Sequence, residues 1–254
     1  IELLRQANLL VGKTLAEVAK IIEPGVTTRQ LDKVAEEFIR DNGAIPTFRG
    51  YPNHEGTPFP GSICASVNDV VVHGIPSDAP LKEGDIISVD CGTLLNGFCG
   101  DSCYTFCVGE VDEATRKLLQ VTKESLYKGI EQAVHGKRLG DIGNAVQTHC
   151  EQNGFGVVRE FVGHGIGRDM HESPEVPSYG RKGNGLQLRQ GMCIAIEPMI
   201  TQGNRKIKWH DDGWGVSTVD GKCAAHFEHT VAVGMGKADI LSSFEFVEEV
   251  LRNK

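Results

Sequence analysis

The chain carries one short pattern twice, and this repeat constrains its fold more than any other feature. Residues 81–90, LKEGDIISVD, align with residues 188–197, LRQGMCIAIE, in a leucine, a glycine, an isoleucine and a closing acid. A His-Gly-Ile triplet precedes each copy, at His73 and at His164. Two similar halves without a shorter repeating period indicate an internal duplication packed about a pseudo-two-fold axis, with a cleft between the halves.

Each half is expected to begin with helices and to continue into strands, because helical spacing of apolar residues gives way to β-branched runs. No linker divides the chain, so we expect a single domain over residues 1–254 whose halves cover about 1–110 and 111–254. The predicted helices cover about 1–22, 27–42, 112–135 and 139–153. Strands are predicted within about 63–76, 89–102, 192–200 and 224–233, and a loop over 160–174.

Residues 89–102, VDCGTLLNGFCGDS, are predicted to form a β-hairpin around the central Asn-Gly pair, which suits a two-residue turn. Pairing outward from this turn places Asp90 opposite Cys103. Asp101 then lies opposite Gly92. The two acids are therefore diagonal neighbours on one face of the sheet, with Cα atoms about 7–8 Å apart. Two carboxylates would crowd a patch that is otherwise apolar.

Ionisable residues stand at strand ends or in glycine-flanked loops of both halves. They are Asp90, Asp101, Glu197, Glu228, His73, His164 and His171. Taken singly, each is more often an edge residue or a satisfied polar group than a functional one. Four carboxylates in apolar strands, however, cannot all be buried and ionised unless cations neutralise them.

The types of ligand in this set narrow the choice of metal. Oxygen ligands with one or two imidazoles and no thiolate suit Mn, Fe(II), Co or Zn. Four carboxylates exceed what one ion needs, whereas two ions about 3.5–4 Å apart, bridged by carboxylates, would use them all. Such paired sites are typical of hydrolases, including aminopeptidases.

Eight cysteines occur without a Cys-x-x-Cys pair, so reduced thiols in a cytosol are expected. Cys99, Cys103 and Cys107 share one strand parity with Asp101, which leaves a soft-metal site open as an alternative. Small, half-buried strand residues are the favoured interpretation, because thiolate zinc sites usually recruit pairs from two separated loops.

Charge and hydropathy argue against several classes of partner. A net charge of -8 and the lack of a Lys/Arg stripe argue against nucleic acid or an anionic membrane surface. No apolar run approaches the ~18 residues that cross a bilayer, and the N-terminal residues do not resemble a secretion signal. We therefore expect a cytoplasmic protein.

Five motifs resemble those of type I methionine aminopeptidases of the bacterial kind, in order over nearly the whole chain. They are HGIP at 73, VDCG with GDS at 89 and 100, GHGIGRDMHE at 163, IEPM at 196 and FEHT at 227. The resemblance implies an α/β pita-bread fold, in which a duplicated antiparallel sheet is covered by helices. It also implies removal of the initiator methionine from polypeptides with a small second residue.

The resemblance further assigns roles to the ionisable residues. Metal ligation falls to Asp90, Asp101, His164, Glu197 and Glu228. Asp101 and Glu228 would bridge two divalent ions, which could be Co, Mn, Fe(II) or Zn. Glu197 would relay a proton to the leaving amine, His171 would stabilise the oxyanion, and His73 would hold the scissile amide or the next residue.

Family positions that line the methionine pocket match Phe48, Tyr51, Cys64, Met170 and Trp214. Apolar, polarizable walls suit a thioether, although plain core packing explains Phe48 and Cys64 almost as well. Two features depart from the family pattern. The stretch Pro52–Gly61 is longer than in compact bacterial members, and Met170 stands where an aromatic residue is common.

The expected partners are the N-termini of nascent polypeptides, with transient ribosome association as a hypothesis, and the chain is expected to be a monomer. The nearest alternative is prolidase or aminopeptidase P activity, since those enzymes share the fold and the five ligands. They usually carry an additional N-terminal domain, for which the residues before His73 leave no room. A metal-free binding module of the same fold is the other alternative, but such relatives typically lose ligands.

Overall fold

The computed structural model describes residues 1–254, which form five helices and fifteen short strands. The helices are α1 (Glu2–Ile21), α2 (Thr28–Asp41), α3 (Glu113–Ile130), α4 (Leu139–Gln152) and α5 (Glu245–Arg252). The first-half strands are β1 (Ile45–Pro46), β2 (Ile63–Val67), β3 (Val70–Val72), β4 (Ile86–Leu95) and β5 (Phe98–Cys107). The second-half strands are β6 (Gly156–Val157), β7 (Gly163–Gly165), β8 (Glu172–Val176), β9 (Cys193–Ile196), β10 (Met199–Thr201), β11 (Ile207–Trp209), β12 (Val216–Thr218), β13 (Ala224–His226), β14 (His229–Ala232) and β15 (Asp239–Ile240). None of the helices combines the length and apolarity that a membrane span requires.

The two N-terminal helices form where capping and apolar spacing place them. The Thr27 hydroxyl accepts the backbone N–H of Gln30, and the Gln30 side chain accepts the backbone N–H of Thr27 at 2.8 Å. This reciprocal pair satisfies two backbone donors at the start of α2. Helix α1 buries its apolar face, including Val11 and Leu15, and packs on β4 and β5. It therefore covers the hairpin that carries Asp90 and Asp101.

Two antiparallel sheets dominate the two halves. In the first half β4 pairs with β1, β2 and β5, and in the second half the strand order is β15-β14-β9-β7-β8. Two three-stranded sheets, β13-β10-β6 and β11-β12-β3, complete the strands, and β3 joins the second of these from the first half. The largest hydrophobic cluster contains 34 buried residues and includes Leu15 and Phe106 from the first half with Ile194 and Phe227 from the second.

The hairpin has the register that the sequence predicts. Asp90 pairs with Cys103, and Asp101 pairs with Gly92. At the turn, Asn96 has a φ of 53° and Gly97 a φ of 79°, both in the left-handed region that a two-residue hairpin turn of this type requires. The prediction that the two acids share a face as diagonal neighbours is therefore confirmed.

Four features of the secondary structure differ from the sequence expectations. Helix α3 ends at Ile130 and not at about 135, because the next residues run beside Gly234, whose carbonyl accepts the His135 N–H. The segment 192–200 is two strands, β9 and β10, because Pro198 has no N–H for a ladder. The predicted loop 160–174 contains β7 and the start of β8, and the C-terminal helix α5 was not predicted.

Candidate active site

Two equivalent strand pairs deliver the four carboxylates. Strands β4 and β5 carry Asp90 and Asp101, and in the second half Glu197 follows β9 while Glu228 precedes β14. Strand β9 pairs antiparallel with β14 up to the pair formed by Ile196 and His229, so Glu197 and Glu228 leave the pair at the same end. The internal duplication therefore supplies two acids from each half.

One cavity of about 240 Å³ brings these acids together with the predicted histidines. All seven ionisable residues line it, namely Asp90, Asp101, Glu197, Glu228, His73, His164 and His171. Ligand atoms of Asp101, His164 and Glu228 lie within 4.8 Å of one another. The His164 Nε2 atom is 3.6 Å from both Asp101 Oδ2 and Glu197 Oε1. The site thus has the spacing of a metal centre.

The backbone fixes which nitrogen of His164 faces the acids. Its Nδ1 is 2.8 Å from the carbonyl oxygen of Gly165, which can only accept, so Nδ1–H donates. The neutral ring then carries its lone pair on Nε2, which points at the carboxylates. An orienting hydrogen bond of this kind is typical of metal-ligating histidines.

The carboxylates lack the partners that buried acids normally have. Asp90 Oδ1, Asp101 Oδ1 and Glu228 Oε1 are buried without any hydrogen-bond partner. Burial raises the pKa of Asp101 to about 8 and raises the pKa values of Asp90, Glu197 and Glu228 well above the usual range. Orphaned carboxylate oxygens around one cavity fit divalent cations, which would supply the missing charge and ligation.

His73 and His171 stand beside this cluster. The His171 ring lies 4.4 Å from the His164 ring, and its Nδ1 is 2.7 Å from the Tyr51 hydroxyl. His73 has a φ of 58°, which is uncommon for a residue with a side chain and is often found at functional sites. Burial lowers the pKa of both rings to about 4, so both are neutral near pH 7.

The apolar end of the cavity differs in two residues from the predicted methionine pocket. Phe48, Tyr51, Cys64 and Trp214 line the cavity as predicted. Met170 does not line it; the side chain is buried in a small cluster behind Phe48 and Cys64. Phe59, which was not predicted, lines the cavity with its ring 5.1 Å from Trp214. No periodicity marked Phe59, because it lies in a Gly/Pro-rich stretch.

A fourth histidine at the cluster was also missed. His226 is buried, and its Nε2 lies 3.6 Å from Glu197 Oε2 with no hydrogen-bond partner. Burial lowers its pKa to about 3, so the ring is neutral. Strand parity could have found it, because His226 and Glu228 are two residues apart in an extended segment and so share a face.

Comparison with known proteins finds relatives over nearly the whole chain. Residues 2–234 match metallopeptidase family M24. Methionine aminopeptidase of Clostridium acetobutylicum is 52% identical over 246 residues, which cover 96% of each chain. The crystal structure of methionine aminopeptidase from Thermotoga maritima matches with a TM-score of 0.91 and 42% identity, covering 95% of this chain and 96% of that one.

A more distant structure shares only the fold. Prolidase from Pyrococcus horikoshii matches with a TM-score of 0.74 at 21% identity, and the match covers 96% of this chain but 62% of the prolidase. Together these structures show that the fold is the α/β pita-bread fold expected from the sequence.

Proposed function

The chain belongs to metallopeptidase family M24, and from this membership we propose how its residues carry out the removal of an N-terminal methionine. It is a metal-dependent aminopeptidase that cleaves the first peptide bond of polypeptides beginning with methionine. The observation that supports our residue assignments is the single cavity in which orphaned carboxylate oxygens adjoin an apolar pocket.

The proposed ligands are Asp90, Asp101, His164, Glu197 and Glu228. Four carboxylates from two halves exceed the needs of one ion, so we propose that this set would hold two divalent ions, to both of which Asp101 and Glu228 would contribute, with Co, Mn, Fe(II) and Zn all compatible with the ligand types. When bound, such ions activate a water molecule and polarise the carbonyl of the first residue.

Glu197 is the proposed proton carrier. As a ligand its carboxylate would be deprotonated, so it is able to accept a proton. Its two oxygens lie 3.6 Å from His164 and from His226, at the wall of the cavity. A proton taken up at this position can be passed to the leaving amine.

The two accessory histidines are proposed to act on the substrate itself. If the Tyr51 hydroxyl donates to Nδ1 of His171, the neutral ring keeps its proton on Nε2, which can donate to the developing oxyanion. His73 is the proposed partner of the scissile amide. Its ring is held edge-on by Trp214 at 6.0 Å, so its position is set by the wall of the pocket.

The methionine side chain is proposed to bind against the paired rings of Phe59 and Trp214, with Phe48, Tyr51 and Cys64 completing the walls. Rings and a thiol form a polarizable surface that suits a thioether. Met170 supports this pocket from behind. The resemblance to the family supports a small second residue, and nascent polypeptides are the proposed substrates. We also propose a cytoplasmic monomer in which both halves act as one unit, with ribosome association only transient.

Peptide hydrolysis tests this function. The Mn²⁺-loaded protein should release methionine from Met-Ala-Ser much faster than it cleaves Ala-Pro peptides. Glu197→Gln should abolish turnover while most metal binding, measured by calorimetry, remains. The exposed Glu175→Gln serves as a matched control and should behave like the wild type. Faster cleavage of the proline peptides would contradict the substrate class, and unchanged turnover in Glu197→Gln would contradict the proton-relay role.

A further inference from the structure

A row of aromatic rings in contact leads from His73 to the mouth of the cavity. The ring of His73 meets Phe161 edge-on at 5.3 Å, and the ring of Phe161 lies 5.3 Å from that of Trp209. Trp209 in turn meets His54 at 6.3 Å. All four side chains line the cavity. Because Trp209 is 53% exposed, the outer end of this row of rings contacts solvent.

The outer ring of this row, His54, belongs to the loop Pro52–Gly61. The backbone N–H of Asn53 donates to the carbonyl of Thr57 at 3.0 Å, which closes the loop on itself. The side-chain NH₂ of Asn53 donates to the carbonyl of Gly213 at 3.1 Å. The loop is therefore fastened to the segment that carries Trp214, and His54 is held across the mouth from Trp209.

Neither core packing nor the proposed chemistry accounts for the outer two rings. The proposed methionine pocket uses Phe59 and Trp214, which meet each other at 5.1 Å at the apolar end. Trp209 and His54 instead leave much of their surface to water. An exposed apolar surface that is continuous with a binding cavity indicates a further contact with the ligand.

The spacing of the rings selects the part of the substrate that reaches them. His73 is the residue that we place at the scissile amide. Trp209 is two ring-to-ring steps of 5.3 Å beyond it, hence at most about 11 Å away. An extended polypeptide advances ~3.3 Å per residue. About 11 Å covers about three residues beyond the scissile amide, so Trp209 lies no further along than the fourth residue of a substrate whose first residue is methionine.

We propose that Trp209 and the Pro52–Gly61 loop bind a large apolar or aromatic side chain at the third or fourth residue of the substrate. This site rests on the function proposed above and extends it from the first peptide bond to the chain that follows. A ring bound there would stack on the indole and lose apolar surface to water. Because the contact is remote from the reacting bond, it lowers KM and leaves kcat nearly unchanged.

Two phenylalanine peptides, each differing at one position from a serine peptide, test this site. Met-Ala-Ser-Ser-Gly, Met-Ala-Phe-Ser-Gly and Met-Ala-Ser-Phe-Gly would be assayed with the Mn²⁺-loaded protein. We expect kcat/KM to be about three- to tenfold higher for at least one phenylalanine peptide, through a lower KM. In Trp209→Ala, the ratio of kcat/KM for the phenylalanine peptide to kcat/KM for the serine peptide should fall close to one. Met235→Ala, which truncates an apolar side chain that is 63% exposed and outside the cavity, should keep the wild-type ratio.

Equal kcat/KM values for the three peptides in the wild type, or a preference that survives Trp209→Ala, would overturn the proposal. Binding to the Glu197→Gln variant, measured by calorimetry, gives a readout that does not need turnover. If no methionyl peptide were hydrolysed, the proposed function would fail, whereas tighter binding of a phenylalanine peptide that is lost on adding Trp209→Ala would still support the site. Equal binding of all three peptides would reject it.

Discussion

Removal of divalent cations is expected to make the stability of the protein fall as the pH rises from 7 to 8. Burial raises the pKa of Asp101 to about 8, against about 3.9 in an unfolded chain. The folded chain therefore keeps a proton that the unfolded chain has already released. Under these conditions the free energy of unfolding declines as the pH increases through the folded pKa.

The magnitude follows from that pKa. Asp101 alone accounts for about 1 kcal/mol of lost stability between pH 7 and pH 8. For a chain of this size, such a loss lowers Tm by about 2–4 °C. Asp90, Glu197 and Glu228 act in the same direction, because burial raises their pKa values well above the usual range. The full loss is therefore at least about 1 kcal/mol.

Buried histidines and thiols contribute less per residue than Asp101 in this pH window. Burial lowers the pKa of His73 and His171 to about 4 and that of His226 to about 3. The unfolded chain releases the corresponding protons near pH 6.5, so each ring adds only about 0.1 kcal/mol of stability between pH 7 and pH 8. Each buried thiol, whose pKa burial raises, removes a similar amount, because the unfolded thiol begins to ionise below its pKa of about 8.5. The contribution of Asp101 is therefore isolated by comparison with a variant that lacks its carboxylate.

Urea unfolding of chelator-treated protein at pH 7.0, 7.5 and 8.0 would measure the slope. Asp101→Asn should lose about 1 kcal/mol less than the wild type over this interval, whereas Asp211→Asn, at an exposed position, should match the wild type. Adding Mn²⁺ should reverse the slope, because ligation requires deprotonated carboxylates. Two results would refute the reasoning. One is a free energy of unfolding of the metal-free wild type that stays constant or rises between pH 7 and pH 8. The other is an Asp101→Asn variant that loses as much stability over this interval as the wild type.

Three further substitutions probe the support of the site. Gly92→Ala is expected to raise the KM for methionyl peptides and to lower stability by about 1–3 kcal/mol in a thermal melt, since its Cβ would overlap Met170. Asn8→Ala should cost about 1–3 kcal/mol in urea unfolding, because the buried Asn8 amide oxygen accepts the backbone N–H of Asp101. His226→Leu should weaken Mn²⁺ affinity about tenfold or more by calorimetry, whereas His226→Gln, which keeps a donor, should stay close to the wild type.

The hairpin was predictable because two local rules fix it. An Asn-Gly turn sets the pairing, and the two-residue period of a strand then decides that Asp90 and Asp101 share a face. The literal repeat extends the same reasoning to Glu197. Glu228 and His164 were candidates from the sequence as well, Glu228 as an acid in an apolar strand and His164 from the repeated His-Gly-Ile triplet, but only the resemblance to the family assigned them as metal ligands.

The walls of the cavity were harder to predict because they come from segments without periodicity. Phe59 and His54 lie in a Gly/Pro-rich loop, and Trp209 lies in a three-residue strand. Their side chains reach the cavity only through long-range pairing of their backbones. Met170 shows the converse, since the position matches the pocket of the family but the side chain packs behind the wall in this chain.

Hydrogen bonds between the two halves pass directly beside the proposed ligands. The hydroxyl of Ser102 donates to the carbonyl of Glu228 at 2.7 Å, and the hydroxyl of Thr230 donates to the carbonyl of Asp101 at 2.9 Å. The backbone N–H of Glu228 donates to the carbonyl of Cys103 at 3.0 Å. The separation of the Asp101 and Glu228 backbones is therefore set by direct hydrogen bonds between the two halves.

Such rigid placement explains how the cluster persists in spite of its repulsion. Mobile acids would move apart or reach solvent when they lose their cations, but acids fixed from both halves can respond only by holding protons. Burial in that fixed position raises the pKa of Asp101. The same constraint prepares the site for divalent ions, because the ligands need no rearrangement and the ions relieve the cost of burying them. Stability of the metal-free chain and affinity for metal should therefore change in opposite directions when one carboxylate is neutralised.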